Sequence, residues 1–309
     1  MAHDRLSVAL LSEVFPDAAS WSRLPAALAG ARERGADLVV LPELPLNPWS
    51  PAQPRPRLED AEPPVGPRHG ALADAARAAG VAVLGGVIVD EGGTRRNRAL
   101  LFGRDGGLLL AYDKAHLPHE EGFWEQAHYQ PGDGVPQPAW VDGFPLGVQL
   151  CSDLNRPELG HALAAAGALA IVGPRATEAG TWERWRLVLQ ATAMTACAYV
   201  LSVTRPRAEG GVPLGGPSFA AAPDGTVLAE SSEPLVLVTL ERAAVQQARK
   251  GYPGYLAVRP ELYSKAWVAA ARALAIEAAA AADDTQIDEA DIRPAGSSTT
   301  RPLPIIQDE

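Results

Sequence analysis

The sequence predicts an α/β fold of packed layers built on mixed sheets, and two patterns carry that expectation. Short runs rich in Val, Ile and Leu alternate with Ala/Arg/Glu-rich helical stretches, which is the rhythm of βαβ units. Turn signals such as Arg104–Asp105–Gly106–Gly107 and Pro223–Asp224–Gly225–Thr226 join other strands too closely for a crossover helix, so they form antiparallel pairs. A chain of 309 residues, 47% hydrophobic and 21% charged, can bury a core of this kind.

In order, Leu6–Leu11 reads as a strand, Leu24–Arg34 as a helix and Asp37–Leu41 as a second strand. The proline-dense segment Pro42–Pro67 has neither period and reads as a long ordered loop, a common site of function. A helix follows near Gly70–Ala79, then strands Val81–Val89, Arg98–Gly103 and Leu108–Tyr112. The second half repeats the rhythm: strand Pro145–Leu150, a helix from about Arg156, strand Ala168–Gly173, an amphipathic helix Thr181–Ala198, and strands Tyr199–Thr204, Ser218–Ala222 and Val227–Glu230. We expect one domain over residues 1–265, a C-terminal helix over 266–282 and a disordered tail over 283–309, which is polar and lacks period.

A formal net charge of −10 at pH 7 argues against nucleic-acid or anionic-membrane partners, which require clustered Lys and Arg. The first residues lack a secretory apolar core, and no stretch approaches the roughly 20 apolar residues of a membrane span, so a cytoplasmic protein is expected. With two cysteines, Cys151 and Cys197, no disulfide framework is expected. Cys197 lies in an Ala-rich helical run and reads as core.

Three strand ends carry candidate chemistry. Cys151 closes the run Pro145–Leu150, and Asn155 followed by Glu158 reads as a helix N-cap and capping box, which would favour the thiolate. Read alone, it is equally a small buried side chain. Glu43 follows Leu38–Pro42; a partly desolvated carboxylate there suits a general base, although a solvated loop Glu has the same local sequence. Lys114, just past Leu108–Tyr112, could meet charge growing on a carbonyl oxygen, or pair with Asp113 on the surface. All three sit where open α/β sheets place their sites. Glu120, Glu121 and Glu125 follow Lys114, and the residues alone do not select among them. His116, His119 and His128 lack a second Cys/His cluster to complete a tetrahedral set, so neither a metal nor a cofactor is expected.

Five ordered motifs then resemble the nitrilase superfamily of carbon–nitrogen hydrolases. They are Leu41–Pro42–Glu43; Asp113–Pro118 with Gln130–Asp133; Cys151–Ser152–Asp153 through Glu158; Gly215–Phe219; and Arg259–Tyr263. The resemblance spans Leu6 to Tyr263 and is similar to the carbamoyl- and amide-hydrolysing branches. It implies an αββα sandwich, a Glu43–Lys114–Cys151 triad, the second glutamate at Glu125, and subunits that pair into a homodimer or larger homo-oligomer. The Lys114-to-Glu125 spacing is similar to that of the carbamoylputrescine amidase branch. Leu154 and Asn155 stand where carbamoyl-amino-acid hydrolases often place two arginines, which weakens an α-amino-acid substrate. Met194–Thr195–Ala196–Cys197 replaces the usual Glu-Asn pair.

The expected reaction is hydrolysis of a small amide or N-carbamoyl compound through a Cys151 thioester, with water as co-substrate. Candidate substrate contacts are Trp49, Trp124, Ser152 with its backbone N–H, Asn155, Arg175 and Glu178. Trp182 and Trp185 read as a packing face. Competing readings are a nitrilase, an acyltransferase, a non-catalytic binding protein on the same fold, and a papain-like Cys–His hydrolase, for which no histidine stands in a suitable context.

Overall fold

The computed structural model describes residues 4–290, with side-chain surroundings through residue 276. The chain divides into two units, Met1–Leu256 and Ala257–Glu309. The first unit holds β1 (Arg5–Leu11), α1 (Ala18–Trp21), α2 (Leu24–Glu33), β2 (Leu38–Val40), β3 (Ala61–Glu62), α3 (Pro67–Ala79), β4 (Ala82–Glu91), β5 (Thr94–Phe102), β6 (Leu108–Asp113) and α4 (Glu125–His128). It continues with β7 (Ala139–Val141), β8 (Phe144–Val148), α5 (Pro157–Ala165), β9 (Ala170–Arg175), α6 (Trp182–Ala196), β10 (Tyr199–Thr204), β11 (Ser218–Ala221), β12 (Val227–Ser231), β13 (Leu235–Glu241) and α7 (Arg242–Lys250).

These strands form two mixed sheets. One runs β13-β1-β2-β4-β5-β6, with β3 on the end of β4; the other runs β12-β11-β10-β9-β8-β7. In each, the central neighbours are parallel (β1–β2–β4 and β8–β9–β10) and the strands beside them pair antiparallel. Side-chain alternation sorts the apolar residues into three layers. Leu6, Val8, Leu10, Leu38 and Val40 of one sheet meet Leu146, Val148, Leu201 and Val203 of the other. Ala9, Val39 and Val83 turn outward onto Leu28, Leu72 and Ala76 of α2 and α3. Ile171, Val200 and Phe219 turn outward onto Trp182, Leu189 and Ala193 of α6. The unit is therefore an αββα sandwich, as the resemblance implies, and its central strands are apolar on both faces because both are covered.

The expected loop 42–67 is ordered, carrying two 3-10 turns and β3. Two expectations need correction. Asn155 is no helix cap: Cys151–Asn155 forms a 3-10 turn, and α5 starts at Pro157 behind Arg156 because proline suits the first helical position. In the second unit, α8 (Pro260–Ala290) runs through Asp283–Ala290, eight residues assigned to a disordered tail. No Gly or Pro interrupts the sequence between Pro260 and Pro294, and the Ala-rich run favours helix. The rest of that expected tail lies outside the described residues. Among the described residues no helix is long and apolar enough to cross a membrane.

Candidate active site

The C-terminal ends of β2 and β8 and the exit of β6 converge. Glu43 stands three residues beyond β2, Lys114 directly after β6, and Cys151 three residues beyond β8. Glu43 and Lys114 are fully enclosed, and so is Glu125 on α4. The backbone turns sharply at two of these points: Leu44, just after Glu43, and Cys151 itself have φ of 48° and 44°, a left-handed conformation that non-glycine residues rarely adopt. The contacts below hold both turns in place.

Lys114 Nζ donates to Glu43 Oε1 at 2.8 Å and to both Glu125 oxygens at 2.6 and 2.7 Å. Lys114 thus acts on the site by charge and by orienting two carboxylates. Glu43 Oε1 takes a second bond, from Asn97 Nδ2 at 2.8 Å. Glu43 Oε2 has no partner and is buried. One carboxylate oxygen is thus clamped twice while the other is left as an available base. Burial pushes the Glu125 carboxyl up to about 8, with Lys114 opposing the shift and Glu43 adding to it. Lys114 is held above its ordinary value, since the two glutamates overcome its burial.

The Cys151 thiol donates to Ala176 O at 3.3 Å. Burial first, and Glu43 second, push its pKa well above the usual thiol value, against the pull of Lys114. This corrects the expected helix-activated thiolate: a 3-10 turn with two carboxylates nearby cannot offset desolvation. The Cys151 sulfur therefore rests as a thiol.

Several residues that position this centre carried no assigned role in the sequence. Asn97 sits in the polar stretch Thr94–Arg98 of β5, where nothing local marks it. Asp153 was visible in Cys151–Ser152–Asp153, yet its partners lie about 40 positions away: its carboxylate accepts from Tyr112 OH at 2.7 Å, His116 N at 2.9 Å and His116 Nδ1 at 2.7 Å. Ser152 Oγ donates to His116 O. Together they fasten the Lys114 segment to the Cys151 turn. Arg205, also fully enclosed, donates to the carbonyls of Glu43, Leu44 and Asn47 at 2.8–3.0 Å and pairs with Glu209. That fork fixes the turn that aims Glu43.

The remaining candidates are dispersed. Trp49 is buried, its Nε1 donating to Gly122 O at 2.9 Å and its ring meeting Phe123 edge-on, beside Leu44 and Ala176. Trp124 is half-buried against His119, Glu178 is half-exposed with its backbone bridged to Leu214, and Asn155 is exposed. Arg175 closes β9 with its guanidinium fully buried on Ser202, Thr177 and Pro217. Glu120 and Glu121 are exposed. His116 turns to Asp153 and His128 to Gln53 O, and among the described residues no three His, Cys, Asp or Glu side chains are grouped as metal ligands would be.

Known proteins resemble this chain in sequence and fold. The chain is 29% identical over 249 residues to a chloroplastic omega-amidase of Arabidopsis thaliana, covering 77% of this chain and 67% of that one. It is 33% identical to a glutamine-dependent NAD(+) synthetase of Rhodobacter capsulatus over 74% of its own length, but spans 41% of the synthetase. An amidase from Nesterenkonia sp. superposes with a TM-score of 0.70 at 26% identity, over 84% of this chain and 95% of the amidase. One solved form of that amidase carries the acetamide moiety of fluoroacetamide on its active-site cysteine. The sequence profile described as carbon-nitrogen hydrolase matches residues 11–250. By that match, and by the sandwich that supports it, the chain belongs to the carbon-nitrogen hydrolase family, within the nitrilase superfamily.

Proposed function

We propose that the protein hydrolyses a non-peptide carbon–nitrogen bond in a small amide or N-carbamoyl (ureido) compound, with Cys151 as nucleophile. One observation carries the reading: Glu43 Oε1 is held by Lys114 and Asn97 while buried Oε2 is unpartnered, close enough for Glu43 to raise the Cys151 pKa. As sulfur attacks the carbonyl carbon, Oε2 takes the thiol proton. The S–C bond forms and the carbonyl oxygen becomes an oxyanion, stabilised by the Lys114 charge and by the backbone N–H of Ser152 at the start of the 3-10 turn. The C–N bond then breaks, Glu43 returns the proton to the nitrogen, and ammonia or an amine departs. A thioester remains on Cys151, or a thiocarbamate if the substrate is ureido. Glu43 next removes a proton from water, whose oxygen attacks the acyl carbon; the acid or carbamate leaves and the thiol is restored.

Glu125 keeps Lys114 between the two carboxylates. Trp49 and Phe123 contribute an apolar wall next to Leu44 and Ala176, which suits a small substrate with little charge. The test is mass spectrometry of the Cys151 peptide after mixing with primary amides or ureido compounds. An acyl or carbamoyl adduct that is lost by hydrolysis, and absent from Cys151→Ala, supports the reading; turnover with no adduct on Cys151 refutes it. Nitrile hydrolysis would pass through a thioimidate at the same sulfur, and a nitrile in the panel distinguishes it.

A further inference from the structure

Three basic side chains of the first unit, Lys114, Arg175 and Arg205, have essentially no exposure. Lys114 lies between two carboxylates and Arg205 pairs with Glu209. Arg175 has only neutral partners. Its Nε donates to Ser202 Oγ at 3.0 Å, Nη1 to Thr177 Oγ1 at 2.6 Å and Nη2 to Pro217 O, while the Trp182 ring lies 4.9 Å from the guanidinium carbon. Taking a cation out of water without a counter-ion is costly, and burial accordingly pushes this guanidinium down to about 10. An apolar side chain would fill the same space at less cost to the fold. The charge therefore has a use, and the backbone shows where.

Arg175 O accepts the N–H of Glu43 at 3.4 Å, and the next carbonyl, Ala176 O, accepts the Cys151 thiol. Glu43 beyond β2, Lys114 after β6 and Glu125 on α4 act on Cys151 by charge, and the Arg175 guanidinium on β9 is coupled to Cys151 in turn. With Glu125 holding its proton below about 8, Glu43 and Lys114 offset one another and the Arg175 guanidinium is the charge left over. Each step that makes a thiolate or an oxyanion moves negative charge off Glu43 and onto the sulfur or the carbonyl oxygen, in a medium of low dielectric where an unneutralised cation coupled to Cys151 acts over several ångströms.

We propose that Arg175 is a positioning residue acting through Cys151: its unneutralised guanidinium offsets the negative charge that appears as the thiol ionises and the carbonyl is attacked. With its donors held by Ser202, Thr177 and Pro217, Arg175 in this proposal acts on Cys151 by charge instead of reading an anionic substrate group. The inference rests on Cys151 as nucleophile, but its test does not use turnover. The second-order rate of Cys151 alkylation by iodoacetamide, read on the Cys151 peptide, is compared for wild type, Arg175→Lys, Arg175→Gln, Arg175→Met and Ser202→Ala, with a melting curve for each.

Both neutral variants should alkylate about tenfold more slowly between about pH 6 and 9, the effect of removing one buried charge coupled to the sulfur. Ser202→Ala keeps the charge while losing a hydrogen bond and should stay within about threefold of wild type, as should Arg175→Lys below about pH 7, where the buried ammonium holds its proton. Folded neutral variants that alkylate at the wild-type rate overturn the proposal. So does slowing of Arg175→Lys and Ser202→Ala to the level of Arg175→Gln, or failure of both neutral variants to fold, since either assigns Arg175 to the scaffold. Full ammonia release by Cys151→Ala would instead sink the nucleophile assignment, a separable outcome.

Discussion

Replacing Lys114 by Met removes the cation that lies between two fully buried carboxylates, together with contacts of 2.6, 2.7 and 2.8 Å. Hydrogen bonds to charged groups contribute about 1.5–3 kcal/mol each, but the desolvation of Lys114 offsets part of that sum. Breaking one partner out of a buried ion pair costs about 3–5 kcal/mol, and that is the loss expected near pH 8. The pH dependence is the sharper signature. Without Lys114, Glu43 and Glu125 face one another, and one of them keeps its proton far above the ordinary carboxylate range. A carboxyl with a raised folded pKa binds a proton on folding, so stability is greatest below its unfolded value of 4.5 and is lost as pH rises through the folded value. Wild-type Glu125 already titrates near 8, so the two proteins part above that value, and the deficit of Lys114→Met should widen by about 1–2 kcal/mol between pH 8 and about pH 10. Urea unfolding at the two pH values, followed by tryptophan fluorescence, measures this directly. An equal deficit at both, or none at either, refutes the charged trio.

Three further substitutions follow from the same geometry. Glu125 has a folded value of about 8 against 4.5 unfolded, so wild type should lose stability as pH rises across that interval. The slope is at most about 1.4 kcal/mol per pH unit; Glu125→Gln should flatten it, and an unchanged slope contradicts the assignment. Asn97→Ala frees Glu43 Oε1 from one of its two clamps and should lower kcat by about 10- to 100-fold with KM little altered. A rise in KM alone would mean that Asn97 contacts substrate instead. Tyr129 is buried beside Glu125, with a hydroxyl that has no partner. Tyr129→Phe should thus raise the urea midpoint by the equivalent of about 1 kcal/mol, and a lowered midpoint would show the hydroxyl to be bonded.

Much of the sandwich was legible because its strands are short apolar runs punctuated by turn chemistry, and β10 falls on the expected residues, Tyr199–Thr204. β13 and α7 went unread: Leu235–Glu241 has no flanking hairpin signal, and β13 takes its place only by pairing with β1 across the whole chain. Glu43, Lys114 and Cys151 could be nominated as candidates because each follows a strand. Local sequence could not reveal what holds them. Asn97 reaches Glu43 across 54 positions, Asp153 reaches Tyr112 across 41, and Arg205 reaches the turn at Leu44 across 161. The same blindness produced the mistaken Cys151 thiolate, since desolvation depends on how both sheets close over the sulfur. Asn155 looked like a helix cap because composition marks caps well, whereas the proline two residues on decided where α5 begins.

The most direct test of the account is ammonia release by purified protein over primary amides, ureido compounds and nitriles, with Cys151→Ala in parallel. The account predicts release from at least one amide or ureido compound by wild type and none by Cys151→Ala. Release that survives the loss of Cys151, or that occurs from nitriles alone, would contradict it.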